Sequence, residues 1–128
     1  MYDEILQAVI DMAVSASGVQ ILVGSMPPEN GIAMGGYGGS APIFLDIGSN
    51  ETMNIVINGK NSSQQIVIGW LNAIHENLTR RKNFPHNDKW QIYAIETTAS
   101  PRLIGREANN QWLYGSSIAV KVNVKGIE

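Results

Sequence analysis

The sequence predicts an α+β fold: a mostly antiparallel β-sheet with two helices packed on one face and a long Gly/Pro-rich loop after the first strand. Three observations lead there. Two segments carry apolar residues at helical spacing, and several others alternate apolar with polar residues at a period of two. The elements follow as helix, strand, long loop, two strands, helix and two long strands, without the regular strand–helix alternation of a doubly wound sheet. At 128 residues the chain suits one domain, 1–128, because two halves would each be too small for a good core.

Asp3 to Ser17 reads as the first helix. Ile5, Val9, Met12 and Ala13 recur along one stripe, and Leu6 and Ile10 widen it. Asp3 and Glu4 suit the positive end of the helix dipole, and Gly18 is a natural stop. Val19 to Val23 is a short apolar strand. Gly24 to Pro42 then carries Pro27-Pro28 and Gly35-Gly36-Tyr37-Gly38-Gly39, so it reads as a loop that sustains neither helix nor regular strand. Such length is unusual for a connection in a compact domain and points to a functional role.

Ile43 to Ile47 and Met53 to Asn58 read as strands, and Asn58-Gly59 as a turn. Ser62 and Gln65 have the spacing of a capping box that opens a helix from Ser63 to Arg80. Its buried stripe is Ile66, Val67, Trp70, Leu71, Ile74 and Leu78, and Arg80, Arg81 and Lys82 gather where the dipole favours cations. Pro85 to Lys89 is a loop. Trp90 to Thr98 is a strand with Trp90, Ile92 and Ala94 on one face and Tyr93 and Ile95 on the other. Ser100 to Asn110 reads as a wide connection with a turn at Asn109-Asn110. In the last strand Trp112, Tyr114, Ile118, Val120, Val122 and Val124 alternate with Ser117, Lys121, Asn123 and Lys125, which buries one face and wets the other. No internal repeat is visible.

Composition narrows the chemistry. There is no cysteine, which removes Cys-ligated zinc, iron–sulfur clusters, thiol nucleophiles and disulfides, and only two histidines, His75 and His86. The net charge of −2 gives no footprint for general nucleic-acid binding. No run approaches the length of a membrane span, and Met1-Tyr2-Asp3-Glu4 is acidic where a secretory signal would be basic. A soluble globular protein is the expectation.

The motifs weaken on inspection. Gly36 to Ala41 matches G-x-G-x-x-A, but Pro42 and an apolar run follow where the dinucleotide fingerprint needs a helix. Asn58-Gly59-Lys60-Asn61 has the flavour of a phosphate-binding loop, yet Asn61 stands where Ser or Thr is required, and Asn54 where Gly is. His75 lies beside the buried stripe with no second group nominated for acid–base work, and His86 falls in a loop. The carboxylates show no calcium-loop spacing, and no serine sits in G-x-S-x-G. Trp70, Trp90, Trp112, Tyr93 and Tyr114 fall in phase with core packing rather than with a base-stacking platform. No cofactor, metal or catalytic residue is expected. The cationic concentrations, Arg80-Arg81-Lys82, Arg102 and Arg106, read as solvated faces or interface anchors.

Five segments carry a family likeness. They are Asn58-Gly59-Lys60-Asn61-Ser62-Ser63-Gln64-Gln65, the helix end Leu78-Thr79-Arg80-Arg81, Trp90-Gln91-Ile92-Tyr93-Ala94-Ile95-Glu96-Thr97, Pro101-Arg102-Leu103-Ile104-Gly105-Arg106-Glu107, and Gln111-Trp112-Leu113-Tyr114-Gly115-Ser116-Ser117. Together, from about Phe44 to Val124, they resemble a bacteriophage minor capsid protein family similar to the tail terminators of long-tailed phages. The resemblance implies a small α+β subunit with no catalytic residues, made in the host bacterial cytoplasm and carried in the virion at the tail end or neck. It implies a homohexameric ring that stops polymerisation of the tail tube protein and offers a surface to the head-completion or connector protein. Phage DNA passes through such a ring without sequence-specific binding.

A ring needs two different, complementary faces on each subunit. Two groups are therefore expected at assembly interfaces: Met34, Gly35, Gly36 and Tyr37 in the long loop, and Arg102, Leu103, Ile104 and Arg106 in the exposed connection. Deleting Gly35–Gly39 is expected to spare the fold and abolish tube capping. The competing readings are a neck adaptor that meets the portal and, more remotely, a small-ligand hydrolase using His75.

Overall fold

A computed structural model describes residues 2–36 and 50–124 of the chain. Helix α1 (Tyr2–Ser17) is followed by strands β1 (Ile21–Val23), β2 (Gly31–Gly36) and β3 (Asn50–Asn61), helix α2 (Gln64–Arg80), and strands β4 (Trp90–Arg106) and β5 (Trp112–Val124). The strands form one sheet in the order β1-β2-β3-β5-β4. β1 and β2 run parallel, and the other three pairings are antiparallel. The fold is the α+β architecture read from the sequence, with both helices on one face of the sheet.

The core lies between helices and sheet, and period decides who enters it. Ile5, Val9 and Ala13 of α1 and Val67, Leu71, Ile74 and Leu78 of α2 are fully buried, as their three- and four-residue spacing requires. The sheet meets them with Ile32 and Met34, with Met53, Ile55 and Ile57, and with Ile118, Val120 and Val122. α1 ends where Gly18 donates its N–H to the Val14 carbonyl at 2.8 Å.

Several sequence expectations are corrected. Residues 24–42 do contain a regular strand: β2 is held by β3 along all six of its residues, from Gly31↔Lys60 to Gly36↔Ile55. Its glycines are tolerated because β3 supplies the ladder along the whole strand, with β1 pairing Ile32, Ala33 and Met34 on the other side. Met53–Asn58 is only the middle of β3, and Asn58-Gly59 is interior strand rather than a turn. Gly59 serves close approach: a Cβ there would lie 2.9 Å from Val67 Cγ2, so its absence lets α2 sit against the sheet. The strand expected at Ile43–Ile47 lies outside the described residues.

The capping box does not form. The N-cap of α2 is Ser63, which makes no side-chain cap hydrogen bond; instead the Ser63 N–H donates to Asn61 Oδ1 at 2.8 Å. In the predicted stripe, Ile66 is exposed and Trp70 half-buried, while His75 is buried. β4 runs on through the expected connection to Arg106. A register shift between Ile92 and Ala94 moves Ile95 onto the inner face with Trp90 and Ile92, because one extra residue in the ladder inverts every later side chain. The Asn109-Asn110 turn is present, with Asn110 at φ 69° and its N–H donating to the Glu107 carbonyl at 3.0 Å.

Candidate assembly surface

The two groups of residues singled out from the sequence lie on different strands of the sheet. Met34, Gly35 and Gly36 are on β2, and Arg102, Leu103, Ile104 and Arg106 are on β4, with β3 and β5 between them. Met34 is 1% exposed and packs in the core. Gly35 and Gly36 pair with Val56 and Ile55; deleting them removes rungs of the sheet, so a Gly35–Gly39 deletion disturbs the fold as well as any contact. Tyr37 lies outside the described residues.

On β4 the arrangement is different. Trp90, Ile92 and Ile95 are buried, but from Glu96 to Arg106 no residue is. This stretch pairs with β5 on one side and, among the described residues, with nothing on the other. Leu103 is 49% and Ile104 55% exposed. Ile104 lies across β5 because Gly115 has no side chain: a Cβ there would fall 2.4 Å from Ile104 Cδ1 and 2.9 Å from Asn58 Oδ1. Around them a shallow hollow of about 160 Å³ is lined by Val56, Asn58, Arg102, Ile104 and Ser117, among others. Pro101 and three register shifts between Thr97 and Gly105 are devices that keep an exposed edge from indiscriminate pairing.

The two arginines differ. The Arg106 guanidinium stacks 5.1 Å from the Trp112 ring centre and donates to the side-chain Oδ1 of Asn110, so its own hairpin holds it. Arg102 is exposed and has no polar partner among the described residues. Beyond Arg106 the hairpin tip is tied to the β1–β2 loop: Asn109 Nδ2 donates to the Pro28 carbonyl at 3.0 Å, and the Asn30 N–H to Gln111 Oε1 at 2.8 Å. Beneath this clasp the buried Lys60 ammonium meets Glu107 at 2.6 Å. The clasp fixes both ends of the sheet surface relative to each other.

The sheet face away from the helices is covered by no helix of the described residues. It carries Thr52, Asn54 and Asn58 of β3, Ser117 and Lys121 of β5, and Glu96 and Thr98 of β4. Thr98 and Ser117 hydroxyls bond at 2.7 Å, and Lys121 reaches Glu96 at 3.5 Å. This is a polar face suited to wet contacts rather than to a second hydrophobic layer.

His75 is held in a contact between helix and sheet. It is 7% exposed, its Nδ1 lies 2.7 Å from Thr97 Oγ1, and its buried Nε2 has no partner. Burial pushes its pKa below the ordinary histidine value, because a charged ring loses solvation there. No carboxylate orients it, as an imidazole base in a triad requires. Among the described residues no group of three or more His, Cys, Asp or Glu is placed to hold a metal ion. A hollow of about 490 Å³ near the end of α2 is lined by Ala16, Ala73, Glu76, Asn77, Arg80 and Arg81, with no nucleophile. Among the described residues no helix is long and apolar enough to cross a membrane.

The sequence missed Gly115 and the length of β4. A glycine inside a strictly alternating strand was the available signal for the first; Pro101 and Gly105 concealed the second.

Comparison with known proteins agrees at the level of fold. No protein-family model matches the sequence, and no curated protein matches it significantly. Among solved structures, a chain of the virion of a native gene transfer agent particle superposes with a TM-score of 0.59 at 9% sequence identity, over 95% of this chain and 91% of that one. At that identity the correspondence establishes a shared fold over nearly the whole length of both chains.

Proposed function

We propose that this chain is a structural virion protein that forms a ring on the end of a phage tail tube, stops its polymerisation and provides the surface that joins the head connector. The observation that carries the reading is the second half of β4: eleven residues, 96–106, none of them buried, with two large apolar side chains exposed and one side of the strand unpaired among the described residues. A strand with its backbone groups and apolar side chains left to solvent acts as a template for another chain, and that is the property an assembly subunit needs. The near full-length likeness to a gene transfer agent virion chain supports the same reading, as does the resemblance carried by 58–65, 78–81, 90–97, 101–107 and 111–117.

The partners in this reading are other copies of the chain, the tail tube protein and the head-completion protein. The hexamer follows from the family resemblance. Phage DNA crosses the ring without base readout. The polar outer face of the sheet is compatible with a wet, reversible docking surface. No step in this role makes or breaks a covalent bond.

The test is electron microscopy of lysates from the phage or phage-like element with this gene removed. Full heads together with headless tails of uncontrolled length are the expected result. Finished tails of normal length lacking heads would reassign the protein to the neck, and normal particles would overturn the structural role.

A further inference from the structure

We infer that successive copies of this chain join head to tail by sheet extension, the exposed half of β4 in one copy taking β1 of the next as an antiparallel neighbour. The inference rests on the ring reading above and names the surface that closes the ring.

Strand direction comes first. β4 is antiparallel to β5, β5 to β3 and β3 to β2, while β1 is parallel to β2. Among the described residues β1 and β4 are therefore the two edges of the sheet, and they run in opposite directions. A copy placed beside another in the same orientation, as rotation about a ring axis requires, brings β1 antiparallel to β4. That is the more stable of the two ladders.

Register agrees. Leu22 pairs with Ala33, Ala33 with Asn58, Asn58 with Gly115, and Gly115 with Arg102. One row of backbone pairs thus crosses the whole sheet from Leu22 to Arg102. Extending that row by one strand sets Leu22 of the next copy beside Arg102 and next to Ile104. In this register Leu22, 38% exposed, falls opposite Arg102 and Val23, 57% exposed, opposite Pro101, with the exposed Leu103 and Ile104 as their diagonal neighbours. Beside β1 a hollow of about 320 Å³ lined by Val19, Leu22 and Pro27 has the room for one of these side chains.

Charge selects a second copy in this head-to-tail arrangement. All nine lysines and arginines lie from Lys60 onward, and residues 1–59 carry six of the eleven acids and no base. Glu4 among them lies against Trp90 at the start of β4, so the charges that matter are local to each edge: Glu29 on the β1 side, and Arg102 and Arg106 on the β4 side. Glu29, in the loop after β1, is exposed and has no polar partner among the described residues, as is true of Arg102. Pairing β4 with β4 about a two-fold axis would set these arginines against their own copies, whereas β4 against β1 matches opposite charge.

The absence of cysteine makes cross-linking a clean test on the full chain, in purified protein and in particles assembled with the variants. Leu22→Cys and Ile104→Cys sit on the same face of the proposed ladder. Mixing the two single variants should give a dimer cross-linked by a short bismaleimide, which spans diagonal cross-strand positions that a direct disulfide does not reach, and the double variant a ladder of covalent oligomers. Neither single variant should cross-link with itself. Arg102→Glu should weaken association at least about tenfold, and Glu29→Arg should restore it, as reversed pairs of complementary charge do. Circular dichroism of each variant keeps folding separate from association. Self-cross-linking of Ile104→Cys alone would point to two-fold pairing and overturn the inference. So would particles that assemble and cap tubes normally without any 22–104 cross-link, an outcome that leaves the proposed function standing. Cross-linked oligomers from a protein whose removal leaves particles normal would retain the interface and overturn the function instead.

Discussion

The buried imidazole of His75 shows how one residue sets a property of the whole fold. Sequence phase put it at the margin of the α2 stripe, and the structure places it inside, under the hydroxyl of Thr97. Its unpartnered Nε2 is better tolerated as a bare lone pair than as an orphaned N–H, which favours the tautomer with Nδ1–H donating to Thr97. Protonation would bury a cation with no carboxylate to receive it, so the folded-state pKa lies below the ordinary 6.5. As pH falls through 6.5 the unfolded chain takes up a proton that the native chain refuses, and stability declines until the pH passes the folded pKa. Above that window both states are neutral and the term vanishes. The slope from one such proton is at most about 1.4 kcal/mol per pH unit. Glu4 titrates separately, lower down. The Trp90 indole N–H donates to its carboxylate at 3.1 Å and lowers its pKa below 4.5, so that contact is lost only in stronger acid. Urea midpoints measured between pH 7.5 and 5 should fall for the native chain and stay flat for His75→Gln. A parallel decline in both would assign the acid sensitivity elsewhere.

At the scale of elements, legibility followed how local the determinants are. Both helices and β5 were readable within about two residues, because their apolar periodicity runs uninterrupted over three or more turns or rungs. β2 was not, since Gly31-Ile32-Ala33-Met34-Gly35-Gly36 has turn-like composition and becomes a strand only because β1 and β3 flank it. The extension of β4 was hidden in the same way: Pro101 and Gly105 signal a break, yet pairing with β5 carries the strand through both, at the cost of register shifts. The capping box was a false local signal. Ser63 occupies the N-cap without using its hydroxyl, and Asn61, at the end of β3, satisfies the Ser63 amide from outside the helix. Replacing a working N-cap serine by alanine ordinarily removes about 1 kcal/mol. Here Ser63→Ala should change stability by less than about 0.5 kcal/mol, the range of an uninvolved surface site. Asn61→Ala should cost about 1–2 kcal/mol, because it leaves an N–H at the helix start without its acceptor. Denaturation of the two single variants checks the ordering, and a larger loss for Ser63→Ala would mean that the Ser63 hydroxyl does cap the helix. Of the interface candidates, Leu103 and Ile104 are exposed as the reading expected, but on a strand at the edge of the described sheet rather than in a loop.

For the whole molecule, the two halves of β4 differ in what they give the core. Its first half contributes Trp90, Ile92 and Ile95 to the core; its second half contributes none, and its hydrogen bonds to β5 are open to water on the other side of the strand. Regions with few buried contacts and solvent-exposed backbone exchange their amide protons through small local openings, whereas core strands exchange only through global unfolding. In the unassembled chain, amides of 98–106 should therefore exchange at least about tenfold faster than those of 53–59 in β3. Incorporation into particles should slow the 98–106 amides toward the β3 rate, while those of the exposed α2 surface, around Gln65 and Ile66, stay unchanged. The difference also carries an ionic signature. Opposite charges on the two edges attract across roughly 10 Å at 0.1 M salt and only about 3 Å at 1 M, so raising salt should return protected 98–106 amides toward the fast rate before it alters β3. Equal protection of 98–106 in free and assembled protein would mean that this edge meets no neighbour.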